Sequence, residues 1–190
     1  MNEAFYEGKE FKGINYSEKK ISNGDYENCQ FINCAFANAD ISAVNFVECT
    51  FRNCDFSNAK IYGTSLRNIQ FHNCKLMGLR FDEGNDLLMS MDFNGCILNF
   101  SSFIELDLKN TNFTKCNLQE VDFTATDLTN AVFDECNLSG AKFDHTILEK
   151  ADFRTSHNYI IDPENNKITK AKFSTFGIIG LLYKYNIEVE

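Results

Sequence analysis

The sequence predicts an all-β solenoid, a single rod whose coils have four five-residue sides, and three observations carry that prediction. Large apolar residues recur at every fifth position, and the eight cysteines fall into series spaced by 20. A single two-residue slip interrupts both series at the same place.

From Phe11 the fifth-residue series runs Phe11, Tyr16, Ile21, Tyr26, Phe31 and on without a miss to Phe81; from Phe93 it runs Leu98, Phe103, Leu108, Phe113 and on to Phe153. All 28 positions are apolar in a chain that is 44% apolar, a coincidence of about 10⁻¹⁰ before choice of register. A helix repeats near 3.6 residues and a strand near 2, so a strict period of five is neither.

The cysteines set the number of sides. Cys29 and Cys49 lie 20 residues apart, as do Cys34, Cys54 and Cys74, and again Cys96, Cys116 and Cys136. Each stands two residues before an apolar centre, and Cys74 to Cys96 spans 22 residues, as does Phe71 to Phe93. A two-residue insertion within 82–91 therefore joins one column from Cys34 to Cys136, and one column of nine phenylalanines from Phe11 to Phe173. The neighbouring column reads Phe46, Leu66, Leu88, Leu108, Leu128, Leu148 and Ile168. Twenty residues in fives make four sides, and the series predicts about eight coils, roughly 38 Å tall at the spacing of β-strands. Asp162–Asn166 forms a loop within one coil, because Phe173 rejoins the column after it.

Each side sends inward its centre and the residue two before it. The second inner position is small (Cys29, Ala39, Ala59, Thr126, Ala131, Ala151), since two large residues per side would overfill a narrow tube. Gly63, Gly78, Gly95 and Gly140 fall near corners. Residues 1–10 are expected to cover the first coil, 11–174 to form the solenoid, and 175–190 to form a helix and extended tail.

Segments such as Ala39-Asp40-Ile41-Ser42, Thr126-Asp127-Leu128-Thr129-Asn130-Ala131, Cys136-Asn137-Leu138-Ser139-Gly140 and Ala151-Asp152-Phe153 resemble the A-(D/N)-(L/F)-X-X unit of pentapeptide-repeat proteins, over residues 11 to 173. The resemblance implies a right-handed quadrilateral β-helix with a short C-terminal helical cap. The size, the cysteine-rich inner positions, the single interruption and the tail after Asp162-Pro163 resemble the quinolone-resistance (Qnr-type) branch. That resemblance implies a DNA-mimicking rod that acts on DNA gyrase and topoisomerase IV and modulates quinolone sensitivity.

The formal charge is −9, and it is unevenly spread. Residues 1–81 are neutral overall, residues 82–152 hold 14 acidic and 4 basic side chains, and residues 153–190 are net +1. Outward Asp92, Asp107, Asp122, Asp127, Asp134, Asp144 and Asp152 are the candidate partner-binding residues. Such a surface suits phosphate-binding lysines and arginines on a partner and argues against direct nucleic-acid or anionic-membrane binding by the chain itself. The alternative is a scaffold for an unrelated partner, in which the charge keeps a long solenoid soluble.

The apolar segment 174–185 supplies Phe176, Ile178, Ile179, Leu181, Leu182 and Tyr185, more than one capping face needs. The surplus predicts a homodimer paired through the C-terminus. The residues offer no catalytic, metal or cofactor set. Stacked thiols point in parallel where zinc needs convergence, and no CxxC pair occurs. His72, His145 and His157 have no nucleophile beside them, and no phosphate-cradling motif is present. With neither a leader-like N-terminus nor a run of about 20 apolar residues, the chain is expected to be soluble and cytoplasmic, with reduced thiols.

Overall fold

The computed structural model describes residues 4–188, and the chain winds as a four-sided solenoid of parallel strands. The first side carries β2 (Glu10–Lys12), β4 (Gln30–Ile32), β6 (Thr50–Arg52), β8 (Ile69–His72), β9 (Met91–Asn94), β10 (Asn112–Thr114) and β11 (Val132–Asp134), joined in that order into a seven-stranded parallel sheet. The preceding side carries β1 (Ala4–Glu7), β3 (Gly24–Glu27), β5 (Asn45–Val47) and β7 (Ser65–Arg67). We number the sides from that seven-stranded sheet, so the second has centres such as Leu118, the third Phe123 and the fourth Leu128. On the second and third sides, and on the fourth beyond β7, single bridges such as Asn117↔Asn137, Asp122↔Lys142 and Asp127↔Ile147 replace strands.

Register follows the 20-residue coil throughout. Phe31 pairs with Phe51, Phe51 with Phe71, Phe71 with Phe93 across the insertion, and Phe113 with Phe133. The rings of this column stack, with centroids 4.7–5.4 Å apart from Phe11 to Phe173. Seven rungs of the column lie in regular strands; the turns through Phe153 and Phe173 continue by isolated bridges (Val132↔Asp152, Asp152↔Lys172). A third-side column (Phe81, Phe103, Phe123, Phe143) stacks alike and meets the first edge-to-face, as in Phe113 against Phe123 at 6.0 Å and 80°. Offset and edge contacts satisfy the ring quadrupoles, so the two aromatic columns pack against each other along the tube.

Corners explain the period. The residue two after most centres adopts positive φ, as at Asn28 (49°), Asn33 (54°) and Asn130 (59°). Asparagine tolerates the left-handed region better than other non-glycine residues, and it fills most corners of the first half. Gly63, Gly78, Gly95 and Gly140 are corners as expected, with φ between 65° and 71°.

Three expectations are corrected. Residues 4–7 do not cover the first coil; they are part of it, pairing with β3 from Ala4↔Gly24 to Glu27. Leu88 does not join the Leu66–Leu108 column: it is 71% exposed at a corner with φ 60°, while Met89 is buried. Asn85 keeps the 20-residue register with Ser65, whereas Met91 pairs with Ile69 at 22, so the extra residues lie between them. That detour carries the backbone of Asp86–Leu88 outward, and flexible Met89 reaches back to fill the space. The C-terminal helix is also shorter than its apolar spacing suggests: α1 spans Ile179–Leu182, followed by a 3₁₀ turn over Tyr183–Tyr185.

Candidate interaction surfaces

The inner small positions do more than leave room. Each of the eight cysteines donates its thiol to the carbonyl of the preceding centre one coil earlier, as in Cys49 to Tyr26 (3.1 Å), Cys74 to Phe51 (3.4 Å) and Cys136 to Phe113 (3.3 Å). Every such acceptor sits in a strand, and Ser156 serves Phe133 of β11 the same way at 2.6 Å. On the fourth side Thr64, Thr126, Thr146 and Asn166 repeat the bond, to Ile41, Phe103, Phe123 and Phe143. Burial pushes the Cys49 thiol up to about 12, which keeps it protonated and able to donate. All eight thiols are free and buried. Among the described residues no group of three metal-ligating side chains converges.

The seven candidate aspartates all lie outward, but the fold distributes them over three sides. Asp92, Asp134 and Asp152 flank the first-side centres, Asp122 and Asp144 the third, and Asp107 and Asp127 the fourth. Only Asp107 and Asp127 are direct rung neighbours among the seven. Their roles are partly local. The Oδ1 atoms of Asp107, Asp122, Asp127 and Asp152 accept the N–H two residues on, from Lys109, Thr124, Thr129 and Arg154. Lys109 Nζ lies 2.5 Å from Asp107 and 3.2 Å from Asp127, Lys142 lies 3.3 Å from Asp122, and Arg154 lies 2.7 Å from Asp152. Burial opposes ionisation of Asp122 and Asp127, yet bonds from Thr124 with Lys142 and from Thr129 with Lys109 outweigh it and hold both below the usual carboxylate range. Arg154 does the same for Asp152, mainly through its side-chain hydrogen bond. Asp92 instead accepts Asn112 N–H and Nδ2, Asp134 accepts the Thr155 hydroxyl, and Asp144 contacts His145.

The tail folds over the last coil. Leu181, expected in the pairing set, is buried instead and closes the core, and Ile161 N–H donates to Gly180 O. Glycine is required at both tail positions: a Cβ at Gly180 would stand 2.1 Å from Tyr159 O, and one at Gly177 2.0 Å from Tyr159 Oη. Lys184 Nζ bridges Asp162 and Glu164 at 2.6 Å each, and Tyr185 Oη donates to Glu164 at 2.9 Å. Leu182 is half-buried, and Phe176 (91% exposed), Ile178, Ile179 and Tyr185 stand in solvent with Tyr183 and Ile187. No helix among the described residues is long and apolar enough to cross a membrane.

A stack of five-residue sides with left-handed corners and donor-bearing inner positions defines a four-sided parallel β-solenoid. The chain belongs to the pentapeptide-repeat family, whose model, the pentapeptide repeat region, matches residues 24–87 and 83–153. Among solved structures it is similar to full-length QnrB1, a plasmid-mediated fluoroquinolone resistance protein, at 17% identity over 96% of this chain and 99% of that one, with a TM-score of 0.52. It also matches a pentapeptide repeat protein from the thylakoid lumen of Arabidopsis thaliana, at 21% identity over 66% of this chain and 90% of that one, with a TM-score of 0.41. No curated protein sequence matches significantly.

Proposed function

We propose that this chain is a non-enzymatic cytoplasmic binding protein, a dimeric rod whose acidic half occupies the surface of a type II topoisomerase that otherwise holds duplex DNA. The observation that supports this reading is the concentration of charge: residues 82–152 carry 14 acidic and 4 basic side chains along one continuous stretch of rod. Hydrogen bonds and neighbouring cations keep the half-buried aspartates Asp122, Asp127 and Asp152 ionised. The outward Phe176, Ile178, Ile179 and Tyr185 are the pairing surface, with Leu182 at its edge; two copies joined there would bring both acidic halves to the centre of a rod roughly 75 Å long. Partner lysines and arginines placed for phosphates respond to such charge more than to base sequence.

A supercoiling assay with purified gyrase, with and without a fluoroquinolone, tests the reading. A dose-dependent change in supercoiling or in drug-stabilised cleavage is the expected result; no effect up to roughly tens of micromolar overturns it. A second reading, a scaffold for another partner, draws support from the ion pairs of Lys109, Lys142 and Arg154, which engage four of the seven aspartates, Lys109 shared between two.

A further inference from the structure

The insertion opens the solenoid's hydrogen-bond ladder on the fourth side, between the coil that carries it and the next. On the fourth side, adjacent coils are held by a repeated set of rungs: Leu108 N–H to Asp127 O at 2.8 Å, Asn110 N–H to Thr129 O at 3.0 Å, and Asp127 N–H to Leu106 O at 2.9 Å. One coil earlier, the corresponding amides of Asp86, Leu88 and Asp107 donate to no backbone carbonyl among the described residues. The break extends round the next corner, where Asn112 N–H turns to Asp92 Oδ1 at 2.8 Å and pairing of β9 with β10 begins only at Phe93. Either side of the break the ladder is closed, with Phe81 N–H on Ser102 O at 2.9 Å before it and the Phe93 and Phe113 rings 5.0 Å apart after it.

A groove of 620 Å³ occupies the break, lined by Arg67, Asn68, Asp86, Leu88, Ser90 and Lys109 among others. Lys109 is committed to Asp107 and Asp127. Arg67 is not committed: it makes no ion pair among the described residues, and its buried Nε has no acceptor. A buried donor without a partner is costly, more so on a charged group, so an unpaired guanidinium Nε at the edge of a groove calls for an acceptor, best an anion. Leu88 beside it holds the left-handed conformation, which bulky residues adopt at a cost, and exposes its side chain.

We infer that this groove binds an extended peptide segment of a partner protein, its backbone taking up the open amides and an acidic side chain pairing with Arg67. Amides of Asp86 and Leu88, two residues apart along one edge, match the spacing at which a strand presents its carbonyls. A simple anion would satisfy Arg67 alone and leave the amides unpaired. The inference stands apart from the topoisomerase reading, because it concerns an edge of backbone rather than the acidic surface.

The test uses the full chain and a fluorescein-labelled peptide, acetyl-Thr-Val-Asp-Val-Thr-amide, with three controls: an Asn in place of its Asp, a backbone N-methylated form, and free acetate. Anisotropy should give saturable binding, weakened roughly tenfold by the Asn peptide and by Arg67→Gln, and lost with N-methylation. Amide exchange in the free protein should be fast at Leu88 and Asp107 and slow at Leu108 and Asn110, and the peptide should slow the first pair. Circular dichroism of Arg67→Gln confirms that the variant is folded. No saturable binding below about 1 mM, equal binding of the N-methylated peptide, or slow exchange at Leu88 and Asp107 overturns the inference. So does a change in sedimentation with Arg67→Gln, which would mean that a second copy fills the groove.

Discussion

Thr126 donates its hydroxyl to the carbonyl oxygen of Phe103, 2.7 Å away and one coil earlier in the rod. The same bond recurs at Thr64, Thr146 and Ser156 and, through sulfur, at all eight cysteines, so the small inner column ties each coil to the one before. Ser101, in an equivalent position and equally buried, makes no such bond.

That contrast predicts opposite outcomes at two inner positions, Thr126 on the fourth side and Ser101 on the third. Thr126→Val keeps the shape and leaves the Phe103 carbonyl without its buried hydroxyl donor, and should cost about 1–3 kcal/mol in urea unfolding. Ser101→Ala removes an unpartnered hydroxyl and should be neutral or stabilising. Equal losses at both sites would contradict the tether.

Phe113 stacks between Phe93 at 5.0 Å and Phe133 at 4.9 Å and has no exposed surface. Phe113→Ala should cost about 3–5 kcal/mol, because a coil pinned by rungs on four sides collapses poorly into the cavity. A loss below about 1 kcal/mol would mean the ring is not a core element.

The thiols should be silent in the folded protein. An Ellman assay is expected to find almost no reactive cysteine in native buffer and all eight in denaturant. Rapid reaction of any of them before unfolding would contradict their burial.

The tail latch should be sensitive to acid. Side-chain hydrogen bonds from Lys184 hold the carboxyls of Asp162 and Glu164 below the usual range, so their contribution is present above the unfolded carboxylate values near 4 and is lost as pH falls through the lower folded values. The same contacts raise Lys184, whose contribution persists through neutrality and is lost only at strongly alkaline pH. Tail amide signals recorded against pH should loosen below about pH 4, with the rod intact. Lys184→Met should abolish that transition, and an unchanged profile would contradict the latch.

Much of this was legible in the chain because a solenoid stacks equivalent positions, so a 20-residue repeat in sequence becomes a column in space. Phe71 and Phe93 were placed correctly across the insertion by that logic alone. Leu88 was not, since apolar character at the right count cannot reveal that a two-residue detour has moved the backbone outward and let Met89 take the inner place. The role of asparagine at the corners was present as a signal, in Asn28, Asn33, Asn38, Asn53, Asn58, Asn68 and Asn73, each two after a centre. The aspartate charge was legible, its use was not: counting acids cannot show that Asp127 caps Thr129 N–H and shares Lys109 with Asp107. Likewise the apolar tail gave its composition, but only the contacts with Tyr159 show why glycine stands at 177 and 180.

Pairing through the tail is best tested without deleting it, because Leu181 closes the core. Phe176→Glu combined with Ile179→Glu alters only exposed positions and should convert a dimer to a monomer by light scattering. A dimer that persists would contradict the pairing surface.

The central claim is that the acidic half of the rod stands in for DNA, and substituting charge without disturbing the turns tests it most directly. Asp107, Asp122 and Asp127 each hold a backbone N–H through Oδ1, and asparagine keeps that acceptor while removing the charge. Binding of purified gyrase to the wild-type chain and to the triple variant Asp107→Asn, Asp122→Asn, Asp127→Asn should be compared by surface plasmon resonance at several salt concentrations. The account predicts salt-sensitive binding of the wild type, competed by duplex DNA and weakened roughly tenfold or more in a variant whose circular dichroism shows it folded. Absence of binding by the wild type, or equal binding by both proteins, would contradict it.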